Sequence, residues 1–426
     1  MALNINRYSS FMIPARRVAG LVVIMCMALA SQAQVYTLDS VLALVERNNP
    51  ALREADSRVA AMEAYVGGAR SWMAPMVGGG TFMTPYPGDR AMTEEGRGSW
   101  MFSPEQEIPN PARLKAKERY LYSQVKAEEE GRAMRFNDLR SEARLYYYVW
   151  LVNEERFNVL RQSEEIVSLM LDLARIRYPY NQGGLGNIYK AEGRLAEVQN
   201  EMLMTEGAIE SARARLRALM ALPASTPLRI DTSTSVAFYH DPSDYDTAML
   251  RSQRSDIRRL DAQIVSARLN QQVRRFQAKP DFKIRFDHMQ PIGNMPPQYS
   301  IMAMVSIPIA PWSAKMYKSE VGAMDHEIAA ITEGRDAMLI AARGALAAMA
   351  SRIQRMEEQL DNYVMKIIPA LQKNYKTVML AYEENREALP VVIEAWEALN
   401  MAQMEYLSKK EEYYTMIVAY EKEIEK

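Results

Sequence analysis

The sequence predicts a mainly helical protein with a small β part, built on long antiparallel helices. Three observations carry this. From about Ala112 to Arg177 no proline and only one glycine, Gly131, interrupts the chain. Apolar residues in that run recur at alternating steps of three and four, the spacing of a helix seam. The second half of the chain then repeats the order of the first, which ranks above any local reading.

Taken in order, residues 1–33 read as a secretory signal peptide. Arg7, Arg16 and Arg17 flank a short apolar core, Val18 to Ala30, and Ser31 and Ala33 stand three and one before a cut ahead of Gln34. The apolar run falls short of the roughly 20 residues of a spanning helix, which weighs against an uncleaved anchor. Cys26, the one cysteine of the chain, leaves with this segment, so the mature chain forms no disulfide. Met25 precedes it where lipid attachment would want a small residue, so acylation is not expected. Formal charge moves from -1 to about -4 on removal, with both signs well mixed, and a nucleic-acid surface is excluded for lack of a basic excess. No later segment approaches about 18 uninterrupted apolar residues, so a mature chain that crosses a membrane must do so with β-strands.

Thr37 or Asp39 caps a first helix carrying Val41, Leu42, Leu44 and Val45, and Asn48-Asn49 before Pro50 ends it. A second helix is expected from about Ala51 to Met73, weakened at Gly67-Gly68, where each glycine costs about 1 kcal/mol against alanine. From Pro75 to Pro111 the chain is rich in turns, with two weak strands at Thr81–Met83 and Ser99–Phe102. Pro104, Glu105 and Glu107 leave the bounds of this strand pair open. The breaker-free run that follows would reach roughly 100 Å as one helix, a length that implies a coiled coil or bundle. Its seam is Phe157, Leu160, Glu164, Val167, Leu171 and Ala174, with one polar lapse at Glu164. Tyr178-Pro179 stops the helix, Gly183, Gly184 and Gly186 turn the chain, and a return helix runs from about Ile188 to Leu222.

The pattern then recurs. A helix at about Tyr245–Ala278 precedes two alternating segments, Phe282–Phe286 and Tyr299–Ile307. A long helix from about Ser313 to Tyr382 carries the seam Ile353, Met356, Leu360, Tyr363, Ile367, Ala370 and Asn374. Pro369 within it either kinks the tract or is tolerated as a local bend. A final helix spans about Pro390–Ile424. Around the turns the halves align at an offset of 204 residues: Tyr178 with Tyr382, Asn181 with Asn385, Leu185 with Leu389, Ala191 with Ala395. Two repeats, 34–232 and 233–426, are therefore expected, each of helix, two strands, long helix, turn and helix.

These residues resemble a known family. Tyr36-Thr37-Leu38-Asp39 followed by Asn48-Asn49-Pro50-Ala51-Leu52 is similar to the opening of TolC-like outer-membrane efflux proteins. Ser306-Ile307-Pro308-Ile309 resembles their strand-to-helix junction. Ile368-Pro369-Ala370, Tyr382-Glu383-Glu384-Asn385 and Ile393-Glu394-Ala395 resemble their second long helix and its turn. The resemblance implies a homotrimer in which four strands per chain form a shared twelve-stranded transmembrane β-barrel in the outer membrane, capping a helical tunnel through the periplasm. It implies an exit duct opened when a periplasmic adaptor, serving an inner-membrane pump, docks at the helical tips. Those tips are assigned Asn181, Gly183, Gly184, Leu185, Gly186, Asn385 and Leu389, against the alternative of plain hairpin turns. Glu394 falls where relatives line the closed end with acid. Three copies would form a ring, against the alternative of a solvated or paired glutamate; Val391 stands where a second acid is expected. Asn replaces the family's usual turn glycine at Asn181 and Asn385, and asparagine tolerates the left-handed backbone next best.

Catalysis finds little support. His240, His288 and His326 lack metal-ligand spacing, and Gly78-Gly79-Gly80 lacks the lysine and helix of a phosphate loop. No cofactor, metal or nucleic-acid partner is expected. Thirty methionines suit either adaptable packing or soft-metal contact. Met401 and Met404 form the one Met-x-x-Met pair unbroken by proline, which keeps heavy-metal export in view. A periplasmic adaptor is the rival reading, but it would need a lipoyl-like β-domain beside one hairpin, and two hairpins are present.

Overall fold

A computed structural model describes residues 35–86, 97–180, 183–233, 236–239 and 246–426. The expected signal segment, Asn181 and His240 lie outside these. In chain order the elements are β1 (Val35–Tyr36), α1 (Leu38–Asn48), α2 (Pro50–Gly67), β2 (Met76–Phe82), β3 (Ser99–Ile108) and α3 (Pro111–Arg177). After a short 3-10 turn come α4 (Leu185–Leu219), β4 (Arg229–Ile230), α5 (Thr247–Gln253), α6 (Ser255–Arg275), β5 (Phe282–Pro291) and β6 (Gln298–Val305). One helical run then holds α7 (Pro311–Asn362), a π turn (Tyr363–Ile367) and α8 (Ile368–Glu383), and α9 (Leu389–Ile424) follows the last turn.

The chain divides into two compact units, Met1–Val45 with Tyr146–Val236, and Glu46–Leu145 with Ala237–Lys426. In the first, β1 and β4 pair in parallel, and the Tyr147 hydroxyl donates to the Asp231 carbonyl at 3.0 Å. Trp150, Leu151, Leu160, Met170, Leu216 and Met220 are fully buried there, each contributing about 1.5–3 kcal/mol. The expected seam holds at Leu160, Val167, Leu171 and Ala174, all buried. Its polar lapse has a partner: Gln199 on α4 donates to Glu164 at 2.9 Å. Nearer the turn, Arg175 on α3 pairs with Glu192 on α4 at 2.8 Å.

The second unit holds the four-stranded sheet, in the order β2-β3-β5-β6 with every neighbour antiparallel. Its second seam departs from expectation. Ile353 and Met356 are buried, but Ile367, Ala370 and Asn374 are exposed, and burial moves to Met379 and Tyr382. The cause lies at Pro369, which has no N–H and whose ring crowds the carbonyl four residues back. The chain responds with the π turn, in which the Ile368 N–H reaches the Tyr363 carbonyl five residues back. A π turn inserts one residue, so every later seam position moves on by one. The helix expected at Tyr245–Ala278 is likewise broken, at Arg254, whose backbone is extended. Buried Arg254 holds Asp256 on α6 and both the carboxylate and carbonyl of Glu423. The Ser255 N–H and hydroxyl both donate to Glu425, at 2.7 and 2.6 Å. Burial works against the Arg254 charge, yet Asp256 and Glu423 outweigh it and hold its pKa above the usual value.

Candidate functional site: a two-faced sheet and two helix turns

Strand alternation gives the sheet two chemically distinct faces. The strand register places Thr81, Trp100 and Gln290 in one row, with Phe102, His288 and Tyr299 in another. On the same face lie Val77, Pro104, Ile284, Phe286, Ile301 and Ala303, ending in the row Ile108, Phe282 and Val305. Trp100, Phe102, Phe282, Ile284, Tyr299, Ile301 and Val305 are exposed. The opposite face carries Glu105, Glu107, Lys283, Arg285 and Asp287, with Met302 and Met304. Lys283 donates to Glu105 at 2.8 Å across β5 and β3, and Arg285 to Asp287 at 2.7 Å along β5. A sheet with aromatic and β-branched residues bare on one side and paired charges on the other is not the half-buried sheet of a globular core.

The strand bounds at Pro104 are settled. β3 runs through it to Ile108, and its pairing with β5 skips Ser103 and Pro104, where the proline has no N–H to give. Beneath the sheet Asp281 acts as a clamp that sequence spacing could not reveal. Its carboxylate accepts from Arg113 at 2.6 Å and the Asn110 N–H at 3.1 Å. Its N–H donates to the Ser306 hydroxyl at 2.8 Å, and its carbonyl accepts from the Ser306 N–H at 3.0 Å. It thus ties the starts of β5 and α3 to the end of β6.

The turn after α8 is built as expected from Asn385. Its φ is 59°, its N–H reaches the Tyr382 carbonyl at 3.0 Å, and the Arg386 N–H reaches Ala381 at 2.8 Å. These two bonds form a Schellman motif with asparagine in the left-handed position. In the turn before α4, Gly183, Gly184 and Gly186 have no positive φ, and a Cβ on any of them would meet no atom closer than 3.7 Å. Neither left-handed geometry nor close approach therefore demands glycine there. Helices α4 and α9 start at Leu185 and Leu389, which keeps the offset of 204 read from the sequence. The two leucines differ in setting: Leu185 is 43% exposed and Leu389 2%. Glu394 is exposed on α9, while Ile393 and Ala395 beside it are buried. Met401 is exposed and Met404 half-buried on the same helix. Among the described residues no helix is long and apolar enough to cross a membrane.

Residues 41–222 match the family described as outer membrane efflux protein. No curated protein sequence matches the chain. Among solved structures, the outer-membrane channel OprN is 16% identical, with a TM-score of 0.75 over 91% of this chain and 89% of that one. CusC, solved in a study of folding and transmembrane channel formation, is 13% identical, with a TM-score of 0.75 over 92% and 95%. The Campylobacter jejuni CmeC outer membrane channel is 16% identical, with a TM-score of 0.72 over 91% and 85%. The family match covers residues 41–222, and the solved structures show that the fold of the chain is that of outer-membrane channels. The resemblance to TolC-like outer-membrane efflux proteins read from the sequence is borne out.

Proposed function

We propose that the chain is the outer-membrane exit duct of a tripartite efflux or secretion system, a passive channel with no catalytic step. Three copies pool their sheets into a twelve-stranded barrel, each contributing β2, β3, β5 and β6. The observation that carries this reading is the two-faced sheet. Its apolar face suits lipid, its charged face suits a water-filled lumen, and β2 and β6 have no outer neighbour among the described residues. In lipid, each unpaired backbone group on such an edge costs several kcal/mol, so the edges must meet those of other copies.

A groove of about 780 Å³ in the second unit is lined by Val66, Tyr122, Val125, Val265 and Leu269 and suits helices of a neighbouring copy. The repeats 34–232 and 233–426 share one order of elements and place a helix turn at corresponding positions. We assign adaptor docking to those turns, through Gly183, Gly184, Leu185, Gly186 and Asn385, with buried Leu389 holding the second turn in shape. Exposed Glu394 supplies the acidic ring of the closed end. An adaptor protein would leave the apolar sheet face without a use.

Single-channel recording from purified protein in planar bilayers tests the duct. Small, rarely opening currents are expected from the wild type. Larger and cation-selectivity-weakened currents are expected after Glu394→Gln. Currents that do not respond to Glu394→Gln or to substitution of the turn glycines would remove the gating assignment.

A further inference from the structure

We infer that Met101 and Met289 form a thioether station for a soft monovalent metal ion, Cu(I) or Ag(I), on the inner wall of the duct. The inference rests on the barrel reading and names a class of cargo for it.

Strand pairing, not sequence spacing, makes the site. Met101 on β3 and Met289 on β5 are remote in sequence and stand directly opposite each other in the antiparallel ladder. Opposed residues on one face have Cβ atoms about 5 Å apart. The unbranched methionine stem has three rotatable bonds, so two sulfurs can converge on one ion. Both residues are half-buried. Gly80 on β2 adjoins Met101 in the same row, and a Cβ there would meet nothing within 4 Å, so the pair is open on that side. Exposed Gln298 on β6 adjoins Met289 on the other.

The placing of the sheet's other methionines is the second observation. The four strands hold Met76, Met101, Met289, Met302 and Met304, and the register puts all of them on the face of Glu105, Lys283, Arg285 and Asp287. The apolar face has none. Methionine used as apolar filler belongs on the apolar face, where its side chain leaves water. Here it stands among charges instead.

Thioether sulfur is soft and neutral and selects Cu(I) over harder ions. Carboxylates on this face are engaged, Asp287 by Arg285 at 2.7 Å and Glu105 by Lys283 at 2.8 Å. His288, next to Met289 in sequence, is on the opposite face. Among the described residues no group of three His, Cys, Asp or Glu could hold a metal ion. Ions that want several oxygen or imidazole ligands therefore find no set here. Two neutral thioethers, with no thiolate, hold an ion weakly enough to release it, as conduction requires. An apolar organic molecule would need a concave apolar pocket, and this row offers two side chains between a glycine and a glutamine.

The test uses the full mature chain, carrying methionine labelled with 13C at the methyl group, in detergent micelles. It is titrated with silver nitrate and followed by NMR. Met101→Leu and Met289→Leu, which nearly conserve volume, assign the two methyl signals. Both signals are expected to shift together at the lowest silver concentrations, ahead of those of Met401 and Met404. Either leucine variant is expected to weaken silver binding at the remaining methionine at least tenfold. No shift at either residue, or a shift at one that survives loss of the other, overturns the site. Shifts produced by the dye rhodamine 6G and not by silver would mean an organic cargo and also overturn it. A parallel measurement in lipid vesicles keeps the barrel separate. Met101→Cys is expected to react with a membrane-impermeant thiol reagent, and Ile301→Cys is not. Absent silver shifts with that pattern intact remove the site and leave the barrel standing. If Ile301→Cys reacts and Met101→Cys does not, the faces are reversed and the station falls with the barrel reading.

Discussion

Ala221, just past the end of α4, has a φ of 53°, and the bonds from Ala221 to Ala218 and from Leu222 to Arg217 form the same motif as at Asn385. An alanine Cβ in the left-handed region crowds the carbonyl and costs about 1 kcal/mol or more, a cost glycine lacks. Ala221→Gly is therefore expected to stabilise by about 1 kcal/mol, read as a raised melting temperature in detergent. No rise would mean that this cap is not left-handed. Asp261 sets a second residue-scale expectation. Burial alone would raise its carboxyl, but Arg251 at 2.8 Å and Arg335 at 2.7 Å hold it below the ordinary 3.8. A depressed carboxylate stabilises fully above its unfolded value, and that contribution is lost as pH falls through the folded one. Asp261→Asn should thus cost about 2 kcal/mol at neutral pH, and the gap to wild type should close progressively below about pH 4. A gap that persists at pH 2.5 would show that the ion pairs are not its source.

At the scale of elements, neighbouring residues on one strand should respond in opposite ways. Ile301 is on the apolar face of β6 and Met302 on the charged one. Ile301→Arg is expected to cost about 2–4 kcal/mol in lipid and to lower the amount of folded protein in outer-membrane fractions. Met302→Arg should leave that amount near wild type. Equal losses would refute the assignment of faces. The alternation behind this was legible in the sequence at Phe282–Phe286, because a period of two needs only the strand itself to be read. The limits of β3 were not, because Pro104 is tolerated at the expense of ladder bonds only where both neighbouring strands hold the segment. The second helical seam was legible as far as Tyr363 and then misleading. Constant spacing assumes an unbroken i to i−4 ladder, and Pro369 exchanges it for a π turn that advances the phase by one residue. The proline was visible, but not whether the chain would kink or add a residue. Asp281 and Arg254 escaped for a different reason. Their partners, Asn110, Arg113, Ser306 and Glu423, are remote in sequence, and no periodicity marks them.

At the scale of the whole molecule the open question is how the sheet ends. A four-stranded sheet with a bare apolar face, and with both edges unpaired among the described residues, is a poor soluble structure and an impossible lipid-facing one, since bilayer interiors offer the edges no hydrogen bonds. Closing it within one chain would need more strands than the described residues contain. Pairing β6 of one copy with β2 of the next removes both edges at once, and rotation about one axis closes the set. The sequence aids the test, because residues 34–426 contain no cysteine. Cysteines placed in turn at Val77, Gly79 and Thr81 on β2, each combined with Tyr299, Ile301 or Ala303 on β6, scan the unknown register between copies. At least one pair is expected to form a disulfide in membranes, giving a ladder of one, two and three linked chains that stops at three. A ladder stopping at two would mean a different barrel, and one running past three an open filament. Absence of any linked species across all nine pairs, with folded protein present in the outer membrane, would show that these edges do not meet.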